Sequence, residues 1–192
     1  MNQKATDEYA AQDWVAAGLT ELGANGIAGV RVEVLAERMG ITKGGFYRRF
    51  RDRRDLLDAM LKAWSDGRIA AIERQAATGG ATALERLRGL IKLYTERANA
   101  QGMAIELAIR QWARTDEAAA AAAAKVDAGR LRTVTQLYRQ LGLSATEAEG
   151  RATLFYSFLF GHGLLFDNES PRKRASLIAA CMRTLTDVDG KA

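Results

Sequence analysis

Residues 31–56, RVEVLAERMGITKGGFYRRFRDRRDL, decide how this chain is read. Val32, Leu35, Ala36 and Met39 recur at i, i+3, i+4 and i+7, the stripe of a short amphipathic helix. Gly40 stands just past it, where a left-handed residue ends a helix, and Ile41 follows as a core anchor. Thr42 is placed to cap a second short helix carrying Phe46, with Phe50 beyond it. Two short helices around a glycine have helix-turn-helix proportions. Between Lys43 and Arg54 lie Lys43, Arg48, Arg49, Arg51, Arg53 and Arg54, opposed there only by Asp52. A phosphate backbone attracts such a cluster, and the start of the second helix is the part that meets base edges in a groove.

Working outward, helical spacing continues in both directions. A first helix is expected from Asp7 to Leu22, capped by Thr6, with Gly23, Gly26 and Gly29 breaking the chain. Asp52 is placed to cap a long fourth helix whose buried side is Leu56, Leu57, Met60, Leu61, Trp64 and Ile72, running out at Gly79-Gly80. Thr82 with Glu85, and Ser144 with Glu147, have capping-box spacing and open a fifth and an eighth helix. Gly102 separates the fifth helix from a sixth. Thr115 caps a seventh, which holds seven consecutive alanines from Ala118 to Ala124 and ends at Gly142. Ser170-Pro171 opens a ninth. The fold class is therefore all-α, with about nine helices. Residues 1–52 form a helix-turn-helix domain, and 53–192 a larger helical domain.

Composition agrees. The chain has 192 residues, 48% of them hydrophobic, enough for a sizeable core. One proline in the whole chain argues against turn-rich β architectures. A net charge of +5 permits a polyanionic partner. The single cysteine, Cys181, forms no intramolecular disulfide, which fits a reducing compartment. With no signal-like N-terminus and no apolar run of membrane-spanning length, a cytoplasmic location is expected, away from any membrane.

The stretch from Gly40 to Leu56, GITKGGFYRRFRDRRDL, preceded by VEVLA, resembles the TetR family of transcriptional regulators. Tyr47, Phe50 and Arg53 match the family's tyrosine, phenylalanine and following basic residue, and the detailed likeness covers roughly Thr6 to Leu61. The resemblance implies a double-stranded DNA operator as partner. It gives Thr42 a cap and a phosphate contact, puts Lys43, Gly44 and Gly45 toward the major groove, and gives Tyr47 and Arg53 phosphates. Two departures bear on it. Arg31 stands where the family often opens helix two with Ser or Thr, and is offered to phosphate instead. Arg49 stands where His is frequent, and with Arg48 strengthens the electrostatic attraction.

The resemblance further implies a C-terminal pocket for a small-molecule effector, with Trp64, Tyr94, Met103, Trp112, Tyr138 and Phe155 as candidates. Ordinary core packing is the competing account of each. Helix eight is apolar on nearly every side, which a homodimer explains, and the family dimerises through its last two helices. Phe158, Leu159, His162, Leu165, Ile178, Met182 and Leu185 are the candidate interface. The expected function is a ligand-responsive repressor on a palindromic operator. The rival readings are an all-α interaction protein and a small-molecule-binding enzyme. One histidine and one cysteine, far apart, argue against a metal centre or a catalytic pair, and no cofactor is implied.

Overall fold

The computed structural model describes residues 10–96, 100–161 and 170–188, with the side chains of 93–96 outside that description. Among the described residues there are nine helices and no strand: α1 Ala11–Gly29, α2 Val32–Arg38, α3 Lys43–Tyr47, α4 Arg53–Thr78, α5 Ala83–Glu96, α6 Ala100–Trp112, α7 Glu117–Gln140, α8 Ala145–Gly161 and α9 Pro171–Thr186. They fall into two compact units. One holds residues 1–68 and 99–126, the other 69–98 and 127–192. The start of α4, all of α6 and the start of α7 belong with the first unit.

In the first unit, α1 begins at Ala11, later than the expected Asp7, and Thr6 lies outside the described residues. Asp13 reaches back to accept a hydrogen bond from the Ala10 N–H at 2.6 Å, satisfying a donor the helix start leaves open. Gly23 does not break α1. The helix runs through it and kinks at Gly26, whose φ of 68° is a left-handed value that glycine takes without a Cβ penalty. Gly23 serves a different end, since a Cβ there would lie 3.0 Å from Ile105 Cγ1, so its small size lets α6 lie close along α1. Gly102, expected as a separator, lies inside α6 and is buried.

The core behind the helix-turn-helix is built from Trp14, Leu22, Val30, Val32, Leu35, Phe46, Phe50, Leu56 and Met60, all buried. Trp14 meets Phe46 edge-on at 5.3 Å, and Phe50 stacks on Phe46 at 5.4 Å. Two buried carboxylates staple this unit. Glu21, 2% exposed, accepts from Asn25 at 2.6 Å and pairs with Arg38 at 2.7 Å, joining α1 to the end of α2. Glu106 pairs with Arg110 at 2.9 Å, while Arg68 donates to the Gly102 carbonyl at 3.0 Å, joining α6 to α4. Charges this deep persist only when paired and hydrogen-bonded.

The second unit closes around Leu87, Leu90, Ile91, Val134, Leu137, Tyr138, Phe155, Tyr156 and Leu159. Its helix ends follow local rules. Thr82 and Glu85 exchange the two hydrogen bonds of a capping box at 3.0 and 3.2 Å, and Ser144 with Glu147 repeats the pattern. Ser170 accepts from the Lys173 N–H ahead of Pro171. Back in the first unit, the cap of α7 is Asp116, not Thr115. The Asp116 carboxylate accepts from the Ala119 N–H at 3.0 Å, whereas the Thr115 hydroxyl turns back to the Trp112 carbonyl. Both residues suit the position by type, and the register of the chain leaving α6 decides between them.

Candidate nucleic-acid interface

Hydrogen bonds from the Gly40 N–H to Glu37 O (3.0 Å) and from the Ile41 N–H to Ala36 O (2.9 Å) end α2 in a Schellman turn, with Gly40 at φ 68°. That turn delivers Thr42 in an extended conformation at the head of α3. Thr42 holds the N-cap position through its backbone alone. Its carbonyl accepts from the Gly45 N–H at 3.1 Å and its hydroxyl makes no capping bond, contrary to the expected side-chain cap.

α3 is short, and Phe46 pins it by pointing into the Trp14–Phe50 cluster. What remains outward is Thr42, Lys43, Gly44, Tyr47, Arg48 and Arg49, all exposed. Tyr47 is 61% exposed although its ring rests edge-on against Phe46 at 5.1 Å. Gly45 corrects the expected pattern: it is buried with Phe46 and does not face outward. Gly44 is exposed, and a Cβ there would meet only Thr42 Oγ1, at an ordinary 3.6 Å. Nothing among the described residues requires glycine at that position, so its helix penalty of about 1 kcal/mol goes uncompensated by their packing.

Charge is distributed less freely than the sequence suggested. Lys43 pairs with Glu33 of α2 at 2.8 Å, and the hydrogen bond from Lys43 holds the Glu33 carboxyl below the usual carboxylate range. Arg51 is engaged by Asp55, and Arg54 by Asp58 and Asp116. The basic run therefore meets several acids beyond Asp52. Asp52 itself caps α4, accepting from the Asp55 N–H at 2.9 Å. Arg53 also departs from expectation. Its Nε donates to Val30 O at 2.6 Å and its Nη2 to Ile27 O at 2.8 Å, so one edge of the guanidinium is committed to the end of α1. Arg31 occupies the N-cap of α2, exposed and without a side-chain cap bond. The acids Asp55 and Asp58 stand four residues beyond Arg51 and Arg54, a spacing legible in sequence. Asp116 lies 62 residues from Arg54, and no local signal announces it.

The effector candidates do not gather in one compact unit. Trp64, Met103 and Trp112 lie in the first, Tyr138 and Phe155 in the second, and the Tyr94 side chain falls outside the described residues. Tyr138 is fully buried and donates to Leu185 O at 2.7 Å, and burial pushes its phenol up to about 12. Among the interface candidates, Leu159 is corrected: it is wholly buried within its own unit's core. Phe158, Ile178, Met182 and Leu185 are half-buried, and His162 and Leu165 lie outside the described residues. Leu154 and Leu177, apolar residues of the same two helices outside the candidate interface set, stand 62% and 50% exposed on α8 and α9. Their signal was present, as large aliphatics on the helix faces opposite the core residues. Among the described residues, no group of three or more potential ligands is placed to hold a metal, and no helix is long and apolar enough to cross a membrane.

A basic, aromatic-backed helix-turn-helix at the head of an all-α chain defines a DNA-binding protein. Residues 15–60 match the family model described as bacterial regulatory proteins, tetR family. That segment holds the whole helix-turn-helix, so the chain carries this family's DNA-binding domain and is a DNA-binding transcriptional regulator. No curated protein matches it. Among solved structures it is similar to a transcriptional regulator of the TetR family from Agrobacterium tumefaciens (14% identity, 95% of this chain and 98% of that one, TM-score 0.75). It is likewise similar to a putative transcriptional regulator from Pseudomonas aeruginosa PAO1 (17%, 96% and 96%, 0.72) and to regulatory protein TetR from Rhodobacter sphaeroides (23%, 92% and 97%, 0.70). At these identities the likeness shows the fold.

Proposed function

We propose that this regulator is a ligand-responsive repressor that binds a palindromic operator as a homodimer. The observation that carries the DNA reading is the outer face of α3. Lys43, Gly44 and Tyr47 stand exposed on a helix held from behind by Phe46, Arg48 and Arg49 stand exposed in the turn that follows, and Thr42 and Arg31 lie at the adjoining helix starts. The bare backbone at Gly44 suits a close approach to base edges, and the surrounding cations suit the flanking phosphates. Residues 1–52 are read as the DNA-binding part and 53–192 as the effector and dimerisation part.

Two-fold pairing would place two α3 helices one turn of duplex apart, about 34–36 Å, which is what a palindrome asks for. The exposed Leu154 and Leu177, beside the half-buried Phe158, Ile178 and Met182, support pairing through α8 and α9. An effector favouring one arrangement of the helical core would shift the population away from the spacing the operator needs. α4 is the natural carrier, since it runs unbroken from Arg53 to Thr78 with residues in both compact units.

The test is a gel-shift titration on duplexes selected from a random pool, repeated across salt concentrations. Binding whose log K falls steeply with log salt is expected, and Lys43→Ala should change which duplexes are selected. Binding indifferent to salt would refute the reading. A thermal-shift screen with small apolar compounds tests the effector, because a bound ligand raises the melting temperature.

A further inference from the structure

Arg53 matches by position a residue that the family resemblance would give to phosphate, yet its surroundings assign it elsewhere. After the kink at Gly26, α1 makes one more turn and stops at Val30, whose side chain is fully buried. The carbonyls at such an end lose their regular helical partners, Ile27 O keeping only a long 3.3 Å bond from the Val30 N–H, and a cation there also complements the helix dipole. Arg53, the first residue of α4, supplies both. Its Nε and Nη2 lie along one edge of the planar guanidinium and donate to Val30 O at 2.6 Å and Ile27 O at 2.8 Å. The next residue after Val30 is Arg31, the N-cap of α2. One side chain thus clamps the start of α4 to the junction from which the helix-turn-helix departs.

We propose that Arg53 is a positioning residue for DNA binding: its two-pronged contact sets the orientation of α2 and α3 relative to α4, and its charge is secondary. The proposal rests on the reading of α3 as the DNA-contacting helix. The fork geometry is the essential part. A lysine keeps the charge but presents a single ammonium, which cannot span two carbonyls in the fixed way a guanidinium does.

Arg53→Lys and Arg53→Gln separate the two roles, measured on a duplex selected by the wild-type protein. A positioning role predicts that Arg53→Lys loses about tenfold in affinity, the scale of one or two modest hydrogen bonds, with an unchanged slope of log K against log salt. Amide hydrogen exchange at residues 27–32 should quicken in the same variant without DNA, while the protein stays folded and its melting temperature falls by only a few degrees, roughly what the loss of one or two hydrogen bonds costs. Retained affinity in Arg53→Lys, with a slope flattened by about 0.9 in Arg53→Gln, would mean a phosphate contact and overturn the proposal. Unchanged exchange at 27–32 in both variants would overturn it as well. If the wild-type protein shows no salt-dependent DNA binding, the underlying reading fails and takes this inference with it, a result visible before any variant is made.

Discussion

Glu33 is the residue that most directly tempers the DNA face. It holds Lys43 at 2.8 Å on a surface where both are largely exposed, so the pair contributes little to stability but occupies the cation expected to meet DNA. Glu33→Gln should therefore tighten binding a few-fold and steepen its salt dependence, since a carboxylate beside a phosphate repels it and competes for Lys43. The same gel-shift titration reads this, and unchanged affinity would show that Lys43 does not face the duplex. The pH dependence has a definite sign. The Glu33 carboxyl sits below its ordinary value, so the pair is intact at neutral pH and is lost only as pH falls through that lowered value. Acidification within the neutral range should leave it unchanged. Tyr138 behaves oppositely. With its phenol pushed from 10.0 up to about 12, it keeps donating to Leu185 O at neutral pH. The stability it contributes declines only as pH rises from about 10 toward 12, where the unfolded chain ionises first.

Helix ends carry the next level of control. Gly40 sits at φ 68° with nothing within 4 Å of an added Cβ, so replacing it costs backbone strain and no clash. Gly40→Ala should destabilise by about 1 kcal/mol and Gly40→Asn by less, read from urea midpoints. Equal stability in all three proteins would deny the left-handed turn. Asp116 joins two tasks, capping α7 and receiving Arg54 of α4, and the hydrogen bond from Arg54 holds its carboxyl below the usual range. Asp116→Ala should cost about 1 kcal/mol for the cap alone. In the wild type this contribution is present at neutral pH and disappears as the solution is acidified through the lowered value, so the variant's acid unfolding should be less steep. Elements of this kind were largely legible in the chain. The capping boxes at Thr82 and Ser144, the Pro171 start and the Gly40 and Gly142 stops follow from residue chemistry within one helical turn. The misreadings share a cause. Glycine is a poor helix former, so Gly23 and Gly102 read locally as breaks, yet both lie within helices, Gly23 where Ile105 approaches too closely for a Cβ. Helix packing outweighed local propensity by admitting a neighbour.

For the molecule as a whole, the question is assembly. Leu154 and Leu177 leave large aliphatic side chains in water on helices whose opposite faces are packed. If pairing covers them, Leu177→Glu should yield monomers by sedimentation at micromolar concentration, with the helical signal retained and operator affinity reduced by far more than tenfold, because a half-site alone is weak. A wild-type monomer under those conditions would remove the dimer from the account.

Local chemistry within the sequence was enough to specify the nine helices among the described residues, most of their ends, and a basic helix-turn-helix with Phe46 in its second helix. Periodicity, capping and glycine conformation all act within a few residues, so one stretch of chain contains both cause and effect. The partners of Arg53, the pairing of Arg54 with Asp116, the inward turn of Gly45, and the burial of Leu159 beside an exposed Leu154 were settled only by the tertiary structure. Each depends on residues tens of positions away, or on which face of a helix a neighbour happens to cover. Side-chain type states what a group is able to bond with, and only packing states which of those bonds it makes.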